Sequence, residues 1–125
     1  MAIKGLGTDI VEIERIATRF DKLGDKLAAR ILTESELREL GHSSDPARFL
    51  AKRFAIKEAA AKALGTGIGR GVSFQHISLS HNEWGAPLLQ LRGGAAERMA
   101  QLGATSTHVS LSDERRYVVA TVIVE

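Results

Sequence analysis

The first apolar segment of the chain carries hydrophobic side chains on both of its faces. Residues 2–13, AIKGLGTDIVEI, are rich in isoleucine, which favours a β-strand. Successive strand side chains point to opposite faces, so Ile3 and Val11 fall on one face. Leu6 and Ile10 fall on the other. Two apolar faces are typical of a sheet that is covered on both sides, so we predict a central strand.

Helical spacing of apolar residues begins where this strand ends. Residues 13–31 are predicted to be helical, either continuous or interrupted at Gly24. Thr33 followed by Glu36 forms a capping-box pattern, which predicts a short helix over 34–40. The apolar positions of the first helical segment are Ile13, Ile16, Phe20, Leu23, Leu27 and Ile31.

The longest predicted helix spans residues 46–64. Asp45 is a suitable N-cap, Pro46 suits the first helical position, and Gly65 suits the position after the last turn. At 1.5 Å per residue this helix would be about 28 Å long.

The second half of the sequence is mainly β-structure. Strands are predicted over 74–80, 87–92, 106–112 and 116–124, with a helix over 94–102. Helices and antiparallel hairpins in one short chain indicate an α+β fold, in which an antiparallel sheet packs against one long helix and shorter helices. The chain contains no linker-like segment, so a single domain over 1–125 is expected.

The amino-acid composition excludes several classes of function but does not identify the function. The 125 residues contain no cysteine, which excludes thiol nucleophiles and thiolate metal sites and is compatible with a cytoplasmic location. A net charge of +2 and 5% aromatic residues give little support to nucleic-acid binding. We expect no membrane segment and no signal peptide, since no apolar run approaches the ~20 residues of a span.

Asp9 is anomalous because it lies within an apolar strand. Aspartate is disfavoured in strands and is rarely buried without a partner. Its partner could be a metal ion, an arginine or several amide donors. From the sequence alone, a structural ion pair and a functional site are equally good interpretations of Asp9.

Glu58 and Lys62 are the second candidate pair. They lie on the long helix beside alanines, at a spacing of four residues and in the order that favours an ion pair. A solvent-exposed pair that adds roughly 0.2–0.5 kcal/mol to helix stability is the more common explanation of such spacing. A role in a site is the alternative.

The glycines at 65, 67, 69 and 71 give a weak phosphate-loop signal. Their spacing does not match the phosphate-binding loops known from sequence motifs. They also follow a helix C-terminus, where the helix dipole favours cations. A turn that leads into the next strand is the better interpretation.

Basic residues recur along one side of the first helical segment, at spacings of 4, 3, 4 and 4 residues. Such a stripe is usually a charged face exposed to solvent, but it could also bind an acidic partner. A break at Gly24 would divide it. The stripe comprises Arg15, Arg19, Lys22, Lys26 and Arg30.

Three segments together resemble a known family. These are GLGTDIVEIERI at 5–16, FLAKRFAIKEAAAKALGTGIGRG at 49–71 and the tail HVSLSDERRYVVATVIVE from 108. In this order they resemble the holo-acyl-carrier-protein synthases, which are the small bacterial 4′-phosphopantetheinyl transferases. The resemblance implies transfer of phosphopantetheine from coenzyme A to a serine of apo-acyl carrier protein, in the service of fatty acid biosynthesis.

The resemblance also assigns residues. It implies that Asp9 and Glu58 hold Mg²⁺ and that Lys62 lies near the pyrophosphate, so Glu58 and Lys62 would be the catalytic residues. Mg²⁺ commonly takes one or two carboxylates and otherwise substrate phosphates and water, which fits two acidic side chains. Enzymes of this family are trimers with active sites between subunits, so a homotrimer is expected here.

The remaining implied contacts concern the two substrates. Arg53, Pro87 and His108 are expected at the coenzyme A site. Taken alone, a histidine such as His108 on the polar face of a strand is more typical of hydrogen-bonded structure. The resemblance places Arg15 against the acidic carrier protein, and the stripe adds Arg19 and Lys22 to that surface.

One position departs from the family pattern. Many members have Gly-Lys-Pro where this chain has Gly-Ala-Pro, so Ala86 removes a possible cation from the coenzyme A site. A non-enzymatic adaptor that binds an acidic protein through its basic helix, with Asp9 and Glu58 only in ion pairs, is the competing hypothesis. A Mg²⁺ enzyme acting on another nucleotide is a further one.

Overall fold

The computed structural model describes residues 2–125, and Met1, the first residue of the predicted domain, lies outside the described part. The helices are α1 (Ile13–Leu23), α2 (Asp25–Ile31), α3 (Glu34–Leu40), α4 (Pro46–Ala63) and α5 (Gly93–Gln101). The strands are β1 (Gly5–Glu12), β2 (Ile77–His81), β3 (Pro87–Leu91), β4 (Thr107–Asp113) and β5 (Tyr117–Val124). The predicted α+β fold is confirmed.

The main sheet is antiparallel, and its strands lie in the order β1-β5-β4. β1 therefore forms an edge, and the predicted central position is wrong. Leu6 and Ile10, which were expected to be covered, are 63% and 65% exposed. The reason is that α4 packs against only one face of the sheet, where Gly7 and Val11 are buried.

The backbones of α4 and β1 lie in direct contact. A Cβ atom built on Gly5 would lie 1.8 Å from the carbonyl oxygen of Ala63, and one on Gly7 would lie 1.9 Å from that of Ala59. The helix backbone therefore occupies the space that a side chain at either glycine would need. It brings the middle of β1 beside the second half of α4.

The first helical segment is interrupted, as one of the two alternatives predicted. Gly24 has a φ of 53° between α1 and α2, a conformation that glycine adopts without strain. Leu23 is 50% exposed and does not belong to the buried stripe. The break also divides the basic residues between two helices.

The capping box that predicted α3 is present. The backbone N–H of Glu36 donates to the Thr33 hydroxyl, and the Thr33 N–H donates to Glu36 Oε1 at 2.9 Å. The strand expected from residue 74 begins instead at Ile77. Residues Phe74–His76 form a 3₁₀ turn, in which the Ser73 N–H donates to the His76 ring.

The glycine-rich segment after α4 is a series of turns. Gly65, Gly67, Gly69 and Gly71 have φ values of 78°, 64°, 125° and 87°. Side chains rarely adopt such values, which accounts for the glycines. Within residues 2–125, no helix has both the length and the hydrophobicity needed to cross a bilayer.

Candidate active site

A cleft of about 270 Å³ opens where β1, α1 and α4 meet. Its walls combine carboxylates, arginines and an apolar floor. It is lined by Asp9, Ile10, Val11, Glu12, Arg15, Ile16, Arg19, Phe54 and Glu58. Asp9 and Glu58, which lie 49 residues apart in the sequence, are thus brought into one site by the contact between β1 and α4.

Asp9 points towards α4 and its side chain is 15% exposed. Lys62 Nζ donates to Asp9 Oδ1 at 3.0 Å and to the carbonyl oxygen of Thr8 at 2.9 Å. The ammonium group therefore pairs with β1 rather than with Glu58, the i,i+4 neighbour considered above. It lies at the edge of the cleft and remains 50% exposed.

Glu58 is half-buried and has an altered acidity. Burial raises its pKa above the ordinary carboxyl value, and the negative charge of Asp9 raises the pKa further. The positive charge of Lys62 opposes these effects without cancelling them. Glu58 therefore lies beside a like charge in a partly desolvated position, where a cation would be favourable.

The donors of this site fit a magnesium ion. Nowhere in residues 2–125 do three or more His, Cys, Asp or Glu side chains group to hold a metal. Asp9 and Glu58 as the protein ligands would leave the other positions to substrate oxygens and water, which is the usual arrangement for Mg²⁺. The set does not fit zinc, which takes at least three protein ligands.

The basic stripe contributes to the cleft through only two residues. Arg15 and Arg19 line it, beside the carboxylates of Asp9 and Glu58. Lys22 is exposed near the end of α1, and Lys26 lies beyond the break on α2. The cleft therefore has a basic side and an acidic side.

Arg53 does not line the cleft. Its side chain is 7% exposed, and Nη1 donates to Glu36 Oε2 at 2.8 Å and lies 3.1 Å from Glu39 Oε2. Its guanidinium group also lies over the ring of Phe49, with its carbon 4.5 Å from the ring centre. Arg53 therefore packs within the chain, and its contact with coenzyme A stays a prediction.

The other two predicted coenzyme A residues are also outside the cleft. Pro87 begins β3, and His108 lies on β4 with Nε2 3.1 Å from Glu125 Oε1. His108 is paired with Ile123, which is paired with Leu6, so it shares the outer face of the sheet with Leu6. Asp9 faces α4 on the opposite side. One chain therefore does not bring His108 to its own Asp9.

A buried ionic cluster of Glu36, Arg53 and Lys57 was not predicted from the sequence. Glu36 was identified only as a capping residue, and Lys57 was not considered. Burial would raise the pKa of Glu36, but hydrogen bonds from Lys57 and Thr33 and the charge of Lys57 outweigh it and hold this pKa below its usual value.

A signal for this cluster was present in the sequence. Lys57 falls at helical spacing between Leu50, Ala61 and Leu64, all of which are buried. A lysine within an apolar stripe needs a buried acidic partner. The partner itself could not be chosen from the pattern alone.

Comparison with known proteins identifies the family to which the chain belongs. The sequence profile of the 4′-phosphopantetheinyl transferase superfamily matches residues 5–122. The chain belongs to this superfamily. The prediction that it is an enzyme of this family is confirmed.

Sequence similarity to individual relatives extends along the whole chain. The holo-[acyl-carrier-protein] synthase of Shewanella denitrificans is 62% identical over 125 residues, which cover 100% of this chain and 99% of the relative. The crystal structure of that synthase from Neisseria meningitidis is 42% identical, with a TM-score of 0.93 and 99% of each chain covered. The Helicobacter pylori synthase, solved in complex with coenzyme A, is 34% identical, with a TM-score of 0.83 and coverage of 96% of this chain and 99% of that one.

Proposed function

We propose that this chain transfers the 4′-phosphopantetheine arm of coenzyme A to a serine hydroxyl of apo-acyl carrier protein. The products are holo-acyl carrier protein and adenosine 3′,5′-bisphosphate, and the reaction serves fatty acid biosynthesis. The observation that carries this proposal is the placement of Asp9 and Glu58 in one cleft. The names of the relatives and the coenzyme A bound to one of them support the choice of substrates.

In the proposed reaction, Asp9 and Glu58 would hold Mg²⁺. When bound, the ion would supply positive charge to neutralise the charge that accumulates on the pyrophosphate oxygens during transfer. The position of Lys62, half-exposed at the edge of the cleft and already paired with Asp9, supports a similar role for its ammonium group.

The serine oxygen forms a bond to the phosphorus attached to pantetheine. The bond from that phosphorus to the bridging oxygen breaks, and the nucleotide leaves with the electron pair. The serine proton needs an acceptor, and the chain itself offers Glu58.

Mass spectrometry of apo-acyl carrier protein tests this function. With the protein, coenzyme A and Mg²⁺, the carrier is expected to gain the mass of one phosphopantetheine arm. Omission of Mg²⁺ is expected to prevent the gain. A carrier that binds tightly but gains no mass, with several carrier proteins tried, would favour the adaptor hypothesis.

The basic side of the cleft is proposed to dock the acidic carrier. Because Arg15 and Arg19 line the cleft that holds Glu58, a carrier bound to them can present its serine to the same cleft. Lys22 extends this surface along α1.

Arg15→Glu is expected to lower kcat/KM for the carrier roughly tenfold, because it replaces an attraction with a repulsion. The difference from wild type should shrink as salt is added. The KM for coenzyme A should not change. The matched control is Lys26→Glu, which makes the same charge change on α2. An equal loss in both variants would contradict docking at the cleft.

We further propose that the chain, as one catalytic domain, assembles into a homotrimer. The face of the sheet opposite α4, here called the outer sheet face, is open in one chain and carries exposed apolar side chains among serine and threonine. Monomeric proteins rarely expose such a patch. Its exposed members include Leu6, Ile10, Tyr117 and Val119, and His108 lies at its far edge.

A neighbouring copy on this face would also complete the coenzyme A site. His108 is directed away from the Asp9 of its own chain, so it could reach only the cleft of another copy. The contacts of Arg53 and Pro87 with coenzyme A stay predictions. The cytoplasmic location stays a prediction.

Val119→Lys tests the assembly. Val119 is 38% exposed, so the variant should fold, but the charge should prevent a second copy from covering the outer sheet face. Sedimentation velocity is expected to show a trimer for wild type and a monomer for the variant. Leu23→Lys, which changes a 50% exposed residue away from this face, should remain a trimer. A trimeric Val119→Lys protein would show that this face is not the interface.

A further inference from the structure

The buried cluster around Lys57 ties α4, the helix that carries Glu58, to elements that lie behind the cleft. Lys57 and Glu36 are each 1% exposed, and Lys57 Nζ donates to Glu36 Oε1 at 2.6 Å. Glu36 Oε2 also accepts from Arg53 at 2.8 Å and from the backbone N–H of Leu79 at 3.3 Å. The cluster thus joins α3, α4 and β2.

The ammonium group of Lys57 is fully engaged. Besides Glu36, it donates to the carbonyl oxygen of Ile31 at 2.7 Å and to that of Phe74 at 3.1 Å. A protonated lysine has three N–H groups, so each has an acceptor. The acceptors come from the end of α2, from α3 and from the 3₁₀ turn, which fixes Lys57 in one position.

This position determines the direction of Glu58. Lys57 and Glu58 are consecutive on α4, so their side chains are about 100° apart around the helix. Lys57 holds one side of α4, and the contact of Ala59 with Gly7 holds another. Rotation of α4 would break one of these contacts, so Glu58 is held facing the cleft.

The same cluster reaches the apolar floor of the cleft. The Phe74 carbonyl oxygen accepts from Lys57, and the Phe74 ring packs on Phe54 with ring centres 5.7 Å apart. Phe54 lines the cleft with Glu58. Lys57 therefore supports two parts of the cleft, one through its own helix and one through Phe74.

Stability alone gives a weak explanation of this cluster. Removing two charges from water is costly, and well-packed apolar residues often replace a buried ion pair without loss of stability. The contacts of the cluster are directional, however, and they determine how α4 is rotated relative to the surrounding elements. That is the property on which the placement of a metal-binding carboxylate depends.

We propose that Lys57 and Glu36 are positioning residues that hold Glu58 and Phe54 in the arrangement needed for metal binding and transfer. This inference rests on the proposed function. Supporting residues of this kind typically change metal affinity or activity by about 10–100-fold when they are replaced. Their effect should therefore appear in the metal dependence before it appears in substrate binding.

The test compares Glu36→Gln and the double variant Glu36→Gln/Lys57→Met with wild type. The Mg²⁺ concentration at half-maximal transfer is expected to rise about tenfold in the double variant and less in the single one. The KM for coenzyme A should stay within about twofold. Direct Mn²⁺ binding, followed by the electron paramagnetic resonance of the free ion, should weaken in the same order.

Arg48→Met is the matched control. Arg48 is also on α4, and its guanidinium donates to Asp113 and to the carbonyl oxygens of Glu114 and Arg115, away from the cleft. The Mn²⁺ affinity of the Arg48→Met variant should equal that of wild type, and its thermal stability should be comparable. If the double variant does not fold, the metal dependence of Glu36→Gln alone tests the positioning role.

An unchanged metal dependence in the folded variants, or an equal shift in Arg48→Met, would overturn the positioning role. The proposed function can fail separately. In that case wild type would transfer no phosphopantetheine, and the Mn²⁺ measurements would still show whether the cluster positions Glu58.

Discussion

Asp9→Ala and Glu58→Ala are each expected to reduce phosphopantetheine transfer on the order of a thousandfold or more. A metal ion supplies several kcal/mol of charge stabilisation in such reactions, and about 1.4 kcal/mol corresponds to a factor of ten in rate. Because only these two carboxylates are proposed as protein ligands, each makes up half of the set. Initial rates of holo-carrier formation, measured at several Mg²⁺ concentrations, would show the loss.

Both variants should remain folded, since neither side chain belongs to the hydrophobic core. The Asp9–Lys62 pair is half-exposed on the lysine side, and such pairs typically contribute little to stability. Asp21→Ala, which removes an exposed carboxylate from α1, is the matched control and should retain wild-type rates. Transfer at the wild-type rate by either cleft variant would contradict the metal assignment.

The sequence predicted these two carboxylates unequally, and the reason is physical. Asp9 was conspicuous because a carboxylate within an apolar strand must have a partner. Glu58 was not, because a glutamate four residues before a lysine is common on helix surfaces. Only the packing of β1 against α4 shows that Lys62 binds Asp9 and leaves Glu58 facing the cleft.

Local signals predicted local structure well. The capping pattern of Thr33 and Glu36 predicted α3 with its bounds, and Gly24 marked the place where a break, one of two alternatives, is found. The same logic missed the longer-range role of Glu36. Its second carboxylate oxygen binds Arg53, seventeen residues away, and no spacing rule predicts a contact that depends on how α3 lies on α4.

The wrong prediction for β1 is also informative. Leu6 and Ile10 gave the strand a second apolar face, which we interpreted as a central strand of one chain. In the structure this face is open. A sequence pattern records burial in whatever assembly the protein forms, so the proposed trimer would account for a face that a single chain leaves uncovered.

Gly7→Ala is expected to lower the free energy of unfolding by about 3 kcal/mol, the upper part of the range for overpacked cores. The new Cβ would lie 1.9 Å from the carbonyl oxygen of Ala59 and 2.6 Å from the backbone nitrogen of Ala63. Backbone atoms of a helix cannot move aside singly, so α4 must shift as a unit away from β1. Urea denaturation followed by circular dichroism would measure the loss.

The same shift should separate Asp9 from Glu58, because one lies on β1 and the other on α4. Gly7→Ala protein that is still folded should therefore need more Mg²⁺ for transfer. Gly41→Ala is the matched control, since Gly41 has an ordinary helical φ of −60° and an added Cβ would lie 3.4 Å from its nearest neighbour. If both variants were equally stable and equally active, the backbone contact between α4 and β1 would not be what sets the distance between the two carboxylates.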